Sequence, residues 1–144
     1  MSHLRLFYHI VTVTKCRKDA IVEQHERQLF RYVLAVCNSH NVKLIRINAT
    51  PCHIHMLVSI PSTLTVADFV RDVKRSTSLM MKKTPGFESF AGWAREYSCD
   101  TVSFHQVEVV KNYIIRQKEH HRTIDLADEM KVLFDQVVDE HTFE

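Results

Sequence analysis

Glycine and proline are scarce in this sequence, which has two glycines and three prolines among 144 residues. Flexible linkers between domains are rich in such residues, so their scarcity argues against a division of the chain. The hydrophobic fraction of 45% is large enough to bury a substantial core. We therefore expect one domain over residues 1–144, with a core at about 3–121 and a C-terminal helical extension at 122–144.

Metal-binding and redox cysteine motifs are also absent, because no two cysteines have the C-x-x-C spacing. The four cysteines are far apart, at positions 16, 37, 52 and 99, as is typical of reduced thiols in a cytosolic protein. The first residues lack the apolar stretch of a signal peptide, and no run approaches the length of a membrane span. We therefore expect a cytoplasmic protein with no membrane partner.

Net charge is close to zero, at +2, and by itself indicates no class of partner. Positive charge is nevertheless concentrated in a turn after the first predicted strand and along the second predicted helix. A basic helix face is most often solvated surface, whereas contacts to nucleic-acid phosphates would make affinity depend on salt. The candidate DNA-binding residues are Lys15, Arg17, Lys18, Arg71, Lys74, Arg75, Lys82 and Lys83.

Hydrophobic periodicity predicts the order β-α-β-β-α-β, followed by C-terminal helices. The predicted strands are 3–14, 42–49, 51–61 and 95–104, and the predicted helices are 19–40, 66–83, 107–121 and 126–138. The short gap between the second and third strands predicts an antiparallel hairpin, and Thr65 is the predicted N-cap of the second helix. This order is typical of a ferredoxin-like α+β fold, an antiparallel sheet with two helices on one face.

The third predicted strand, between prolines 51 and 61, carries His53 and His55 two positions apart. Strand alternation directs both imidazoles to one face of the sheet and Ile54 and Met56 to the other. A His-x-His pair needs a third ligand from elsewhere before it indicates a metal site. On spacing alone, two hydrogen-bonded histidines on a half-solvated sheet are an equally good interpretation.

Tyr113 and Gln117 lie four residues apart in the predicted helix at 107–121, and therefore share one face. The apolar stripe through Val110 and Ile114 predicts that both lie beside the core rather than inside it. A tyrosine at a helix edge most often packs its ring and hydrogen-bonds its hydroxyl. Tyr8, Tyr32 and Tyr97 lack a glutamine one turn on, and are predicted packing residues; no other histidine has a spacing that predicts a ligand.

Together the two segments suggest a more specific chemistry. His53, His55 and the amide oxygen of Gln117 would form a three-ligand site that suits a divalent ion bound to a phosphate oxygen. Tyr113, one turn from Gln117, could attack that phosphate and form a covalent intermediate.

These residues resemble the motifs of the single-tyrosine HUH transposases, small enzymes of insertion sequences that move as single strands, and of their relatives associated with repetitive extragenic palindromes. HUH denotes His-hydrophobic-His, met here by His53-Ile54-His55. The resemblance covers most of the chain. Its further motifs are Tyr8-His9-Ile10-Val11, Lys15-Cys16-Arg17-Lys18, Pro51 through Ser59, Lys74-Arg75-Ser76-Thr77, Trp93 followed by Glu96-Tyr97, and Tyr113-Ile114-x-x-Gln117 ending in His120-His121.

The resemblance implies a transposase that cleaves and rejoins single-stranded DNA at hairpin-marked element ends. It implies that His53, His55 and Gln117 bind Mg²⁺ or Mn²⁺, and that Tyr113 forms a 5′-phosphotyrosine and leaves a free 3′-hydroxyl. It also implies a homodimer in which the tyrosine helix of one protomer commonly serves the histidines of the other. One departure is Cys52, where the family often has an acidic residue, and a thiol suits a hard ion less well.

Two other functions fit part of the pattern. A non-catalytic or domesticated single-stranded nucleic-acid-binding protein would explain the basic residues but leave the tyrosine, glutamine and histidines without a role. A metal-dependent phosphodiesterase that uses water would need only the three metal ligands.

Overall fold

The computed structural model describes residues 3–121, so the predicted helix at 126–138 and the rest of the extension lie outside the described residues. The strands are β1 (Phe7–Thr14), β2 (Lys43–Thr50), β3 (His53–Ser59) and β4 (Trp93–Val102). The helices are α1 (Glu26–Ser39), α2 (Val66–Lys83), α3 (Val107–Ile115) and α4 (Gln117–His121). Short 3₁₀ turns cover Lys15–Arg17, Glu23–His25 and Phe104–Gln106. The predicted β-α-β-β-α-β order with C-terminal helices is confirmed.

The four strands form one antiparallel sheet in the order β2-β3-β1-β4. The predicted hairpin is confirmed, because β2 pairs with β3 and Thr50 lies opposite His53. The two central strands, β1 and β3, have neighbours on both sides. Six of the seven β3 residues are buried, so both faces of this strand are covered.

Helices α1 and α2 cover one face of the sheet, as predicted. Leu29 and Val33 of α1 and Phe69 of α2 pack with Ile54 and Met56 of β3 in the main core. Full burial of a Leu, Ile or Phe side chain contributes about 1.5–3 kcal/mol. The main core, which has more buried residues than the second one described below, holds β3 in place from one side.

Helix α3 covers the opposite face. Val110 and Ile114 of α3 pack with Leu57 of β3 and Val102 of β4 in a second, smaller core. The histidine strand thus lies between two helical layers. No helix among residues 3–121 is long and apolar enough to span a membrane.

Helix α2 has the predicted boundaries. The hydroxyl of Thr65 accepts a hydrogen bond of 3.1 Å from the backbone N–H of Asp68, and so caps the helix N-terminus. The helix ends at Lys83, because the residue before a proline, here Thr84, disfavours helical backbone angles.

Helix α1 begins at Glu26, so the prediction that it starts near Asp19 was wrong. The backbone N–H groups of Ala20 and Ile21 both donate to the carbonyl of Pro51, at 2.8 and 2.9 Å. These donors tie the segment to the β2–β3 turn, which keeps it extended before the helix. Smaller differences affect β1, which begins at Phe7 rather than residue 3, and β4, which runs two residues earlier than predicted at both ends.

Candidate functional site

The predicted histidine pair lies in the interior. His53 and His55 are fully buried on the face of β3 that α3 covers, while Ile54 and Met56 point into the main core. The predicted alternation is therefore confirmed. A half-solvated sheet face does not fit, because α3 excludes water from both imidazoles.

Tyr113 and Gln117 meet the histidines. The Tyr113 ring lies edge-on to the His55 ring, with centroids 5.9 Å apart. The amide nitrogen of Gln117 lies 3.3 Å from Nε2 of His53. The structure thus brings together within one chain all four residues singled out in the sequence.

The helix that carries them differs from the prediction in two ways. Tyr113 and Gln117 are buried, at 5% and 0% exposure, rather than beside the core. Together with Val110 and Ile114 they follow helical spacing, and this whole face packs on the sheet. The predicted single helix is also broken at Arg116, since α3 ends before it and α4 starts after it.

His53 is held from the side of the β2–β3 turn. Its Nδ1 lies 2.8 Å from the hydroxyl of Thr50 and 3.2 Å from Sγ of Cys52. Cys52, the departure from the family pattern, therefore touches the imidazole of the first histidine. A thiol is only a weak hydrogen-bond donor, so Thr50 is the stronger partner.

His9 is the site residue that sequence reasoning missed. Its Nε2 lies 2.8 Å from Nδ1 of His55, and its ring also meets the Tyr113 ring at 6.1 Å. Burial lowers the pKa of His9 to about 4, so the ring is neutral near pH 7. Spacing from the His53–His55 pair could not reveal His9, because His9 lies on another strand, β1. The available signal was strand alternation, which places His9 and Val11 on the same face of β1.

The donor set suits a divalent ion. Metal-bound histidines usually direct their second ring nitrogen to a hydrogen-bond partner. Here the Thr50 hydroxyl is closer to Nδ1 of His53 than to its Nε2, at 2.8 against 3.3 Å, and Nδ1 of His55 faces His9, so Nε2 is the nitrogen that each ring could offer a metal ion. Among residues 3–121 no three His, Cys, Asp or Glu side chains form a metal-binding group, whereas Gln117 lies beside His53 and could supply a third ligand.

The first basic segment lies at the end of the sheet where His53 begins β3. Lys15, Arg17 and Lys18 are exposed at the turn after β1. This turn lies at the His53 end of the sheet, because the N–H of Thr14 donates to the carbonyl of Cys52 at 2.8 Å.

The second basic segment, on α2, packs on the opposite face of the sheet. Arg71 is bonded at 3.1 Å to both Asp68 and Asp72, and Lys74 donates to the carbonyls of Ala94 and Arg95. The remaining candidates of this set are exposed, namely Arg75, Lys82 and Lys83. The structure does not bring this set to Tyr113.

The other tyrosines lie away from the histidines. Tyr8 packs against the main core, as predicted. Tyr32 and Tyr97 are 41% and 38% exposed, and the Tyr97 ring has Lys74 Nζ at 5.3 Å from its centroid. Tyr32 lies on the exposed side of α1, and Tyr97 lies on the edge strand β4.

Fold and site together define a ferredoxin-like α+β domain in which a C-terminal tyrosine helix covers a buried histidine pair. The family model described as "Transposase IS200 like" matches residues 2–117. The chain therefore belongs to the IS200-like transposase family. It is 30% identical over 117 residues to the transposases for insertion sequence element IS200 of Salmonella typhimurium (strain LT2) and Salmonella typhi, covering 78% of this chain and 76% of each relative.

Solved structures share the fold. A Deinococcus radiodurans R1 protein described as a candidate transposase matches with a TM-score of 0.62 and 22% identity. The match covers 82% of this chain and 95% of the Deinococcus chain. The REP-associated tyrosine transposase bound to a REP hairpin matches with a TM-score of 0.63 and 13% identity, covering 86% of this chain and 76% of its own.

Proposed function

We propose that this transposase cleaves and rejoins single-stranded DNA at hairpin-marked ends through a covalent link between Tyr113 and DNA. The observation that carries the proposal is the contact of Tyr113 with His55, combined with that of Gln117 with His53. A tyrosine that only packs its ring would not need two buried imidazoles beside it. A protein that only binds nucleic acid would not need a nucleophile there.

In the proposed reaction the Tyr113 hydroxyl loses its proton and attacks the scissile phosphorus. A bond forms between the phenolic oxygen and phosphorus, while the bond from phosphorus to the 3′-oxygen breaks. The departing 3′-oxygen takes up a proton, which leaves a 5′-phosphotyrosine and a free 3′-hydroxyl. Attack by a 3′-hydroxyl on the phosphotyrosine reverses these steps, so rejoining needs no nucleotide cofactor.

We further propose that His53, His55 and Gln117 hold a divalent ion, Mg²⁺ or Mn²⁺. When bound, such an ion would neutralise charge that develops on the non-bridging phosphate oxygens. Thr50 and His9 orient the two imidazoles through their Nδ1 atoms. Gln117 would turn its amide oxygen, rather than its nitrogen, toward the ion.

The proposed DNA partner rests on the basic turn and on the relative bound to a REP hairpin. Lys15, Arg17 and Lys18 lie at the His53 end of the sheet, where they could hold phosphates of a strand that enters the site. A homodimer with shared active sites stays a prediction. Tyr113 lies against His55 of its own chain, so an exchange between protomers would have to lift α3 from Leu57.

Incubation of the protein with a labelled single-stranded hairpin oligonucleotide and Mg²⁺ or Mn²⁺ tests the proposal. We expect a protein-DNA adduct that survives denaturant, is absent in Tyr113→Phe and persists in the matched control Tyr97→Phe. Cleavage that continues in Tyr113→Phe would instead indicate hydrolysis by water. Binding without cleavage by the wild-type protein would indicate a non-catalytic module. An adduct retained in His55→Ala would contradict the metal assignment.

A further inference from the structure

The side chain of Asn48 connects the sheet to the end of the tyrosine helix. Its Nδ2 donates to the carbonyls of Ile114 and Ile115, at 2.9 and 3.2 Å. Its Oδ1 accepts from Nζ of Lys118 at 2.7 Å and from the N–H of Ala49 at 2.9 Å. Carbonyls only accept and these nitrogens only donate, so the partners determine the orientation of the amide.

The bonds from Asn48 satisfy the last two carbonyls of α3, those of Ile114 and Ile115. The last carbonyls of a helix have no partner inside it, and about a third to a half of helices end in a residue with left-handed conformation, usually glycine, that helps to satisfy them. No glycine follows α3. Asn48 supplies the donors from β2 instead, so the position of the helix end is set by the sheet.

The first turn of α4 is attached at the same point. Lys118 bonds to Asn48 and, at 3.1 Å, to Glu26 of α1. Lys118 and Glu26 are 30% and 16% exposed, so water screens this ion pair only partly. Gln117, which directly precedes Lys118, is thereby attached to β2 and α1 through the bonds of its neighbour.

The register places this attachment beside the proposed chemistry. Asn48 lies directly opposite His55 in the β2–β3 pairing. Tyr113 directly precedes Ile114 and Ile115, whose carbonyls accept from Asn48. Gln117 directly precedes Lys118, which donates to Asn48. The side-chain amide of Asn48 therefore connects β2, beside the histidine strand, to the segments that carry Tyr113 and Gln117.

We propose that Asn48 is a positioning residue, which with Lys118 and Glu26 sets Tyr113 and Gln117 against the histidine pair. The catalytic consequence rests on the proposed function, whereas the structural one does not. Displacement of a reacting group by about 1 Å can cost about 100-fold in rate. A purely stabilising residue would instead lower the folded fraction without altering the rate of the folded protein.

The test compares full-length Asn48→Ala and Asn48→Asp with Asn38→Ala, a matched control at an exposed site on α1. The aspartate still accepts from Lys118, but it places carboxylate oxygens against the two carbonyls and cannot donate to them. We therefore expect Asn48→Asp to release α3 at least as much as Asn48→Ala does. Two quantities are measured: amide hydrogen exchange over residues 110–118 without DNA, and the rate of adduct formation at saturating oligonucleotide.

We expect exchange over residues 110–118 to rise about tenfold in both Asn48 variants and to stay unchanged in Asn38→Ala. The adduct rate should fall about 10- to 100-fold, with oligonucleotide affinity within about twofold of wild type because the basic turn is intact.

Unchanged exchange would overturn the inference. Faster exchange with an unaltered adduct rate would overturn the positioning role while Tyr113 chemistry stands. If the wild-type protein forms no adduct, the proposed function fails, and exchange alone supports or overturns the attachment.

Discussion

Nε2 of His9 lies 2.8 Å from Nδ1 of His55, and the two rings are stacked with centroids 5.1 Å apart. Burial lowers the pKa of His9 to about 4, so near pH 7 its Nε2 can accept the Nδ1–H of His55. With His55 as the donor, this bond would favour the tautomer of His55 whose Nε2 can bind a metal.

Replacement of His9 by phenylalanine keeps a ring in this place but removes the acceptor. We expect Mn²⁺ affinity to fall about 10- to 100-fold, as is usual when the partner of a metal-binding histidine is lost. Isothermal titration calorimetry measures the affinity, and ¹⁵N NMR of the metal-free protein reports the tautomer of His55. His105→Phe, at an exposed histidine, is the control. Equal Mn²⁺ affinity in His9→Phe and wild type would show that His9 has no such role.

Arg17 is exposed on the basic turn, and its removal should weaken the salt dependence of DNA binding. For single strands the slope of log affinity against log salt changes by about 0.7 for each phosphate contact. We expect Arg17→Ala to reduce the slope by about that amount in fluorescence anisotropy titrations. Arg71→Ala should leave it nearly unchanged, because Asp68 and Asp72 already offset that charge. The opposite ranking would place the DNA on the α2 side.

Gly86 and Gly92 both have positive φ, at 105° and 122°, yet only one has a close neighbour. A Cβ at Gly86 would lie 2.5 Å from the His25 ring, whereas a Cβ at Gly92 meets nothing within 4 Å. Both alanine variants incur backbone strain of about 1–2 kcal/mol, but Gly86→Ala must also displace His25. Urea unfolding should therefore show a larger loss of stability for Gly86→Ala. Equal losses would mean that His25 moves aside without cost.

The thiols of Cys37 and Cys99 should resist alkylation. Burial raises the pKa of Cys37 to about 12, and burial with nearby Asp100 raises that of Cys99 to about 11. The thiolate is the reactive form, so near neutral pH both stay protonated while the exposed Cys16 reacts. Iodoacetamide labelling followed by mass spectrometry should detect Cys99 before Cys37 as pH rises. Fast labelling of Cys37 in the folded protein at neutral pH would contradict its burial.

Several features were predictable because they depend on neighbours along the chain. Strand alternation directed His53 and His55 to the same face, and helical spacing placed Tyr113 and Gln117 together. The hydroxyl of Thr65 caps α2 from three residues away. Each of these relationships spans at most one turn of helix or one step of a strand, so periodicity reveals it.

The remaining features depend on bonds between distant segments. The carbonyl of Pro51 holds Ala20 and Ile21 extended and so delays the start of α1. Asn48 caps α3 from β2, beside the break at Arg116. Neither partner is visible from composition or periodicity, because each lies some 30 or more residues away in the chain.

The sequence by itself determined the ferredoxin-like order of elements, the histidine pair and the tyrosine-glutamine pair, because local spacing encodes which residues share a face. Only the tertiary structure decided that these pairs meet in a buried site, that His9 adjoins His55 and that Asn48 attaches the tyrosine helix. The physical reason is that strand register and helix docking are set by packing over the whole chain. A contact such as His9 with His55, across 46 positions, exists only once β1 and β3 have paired.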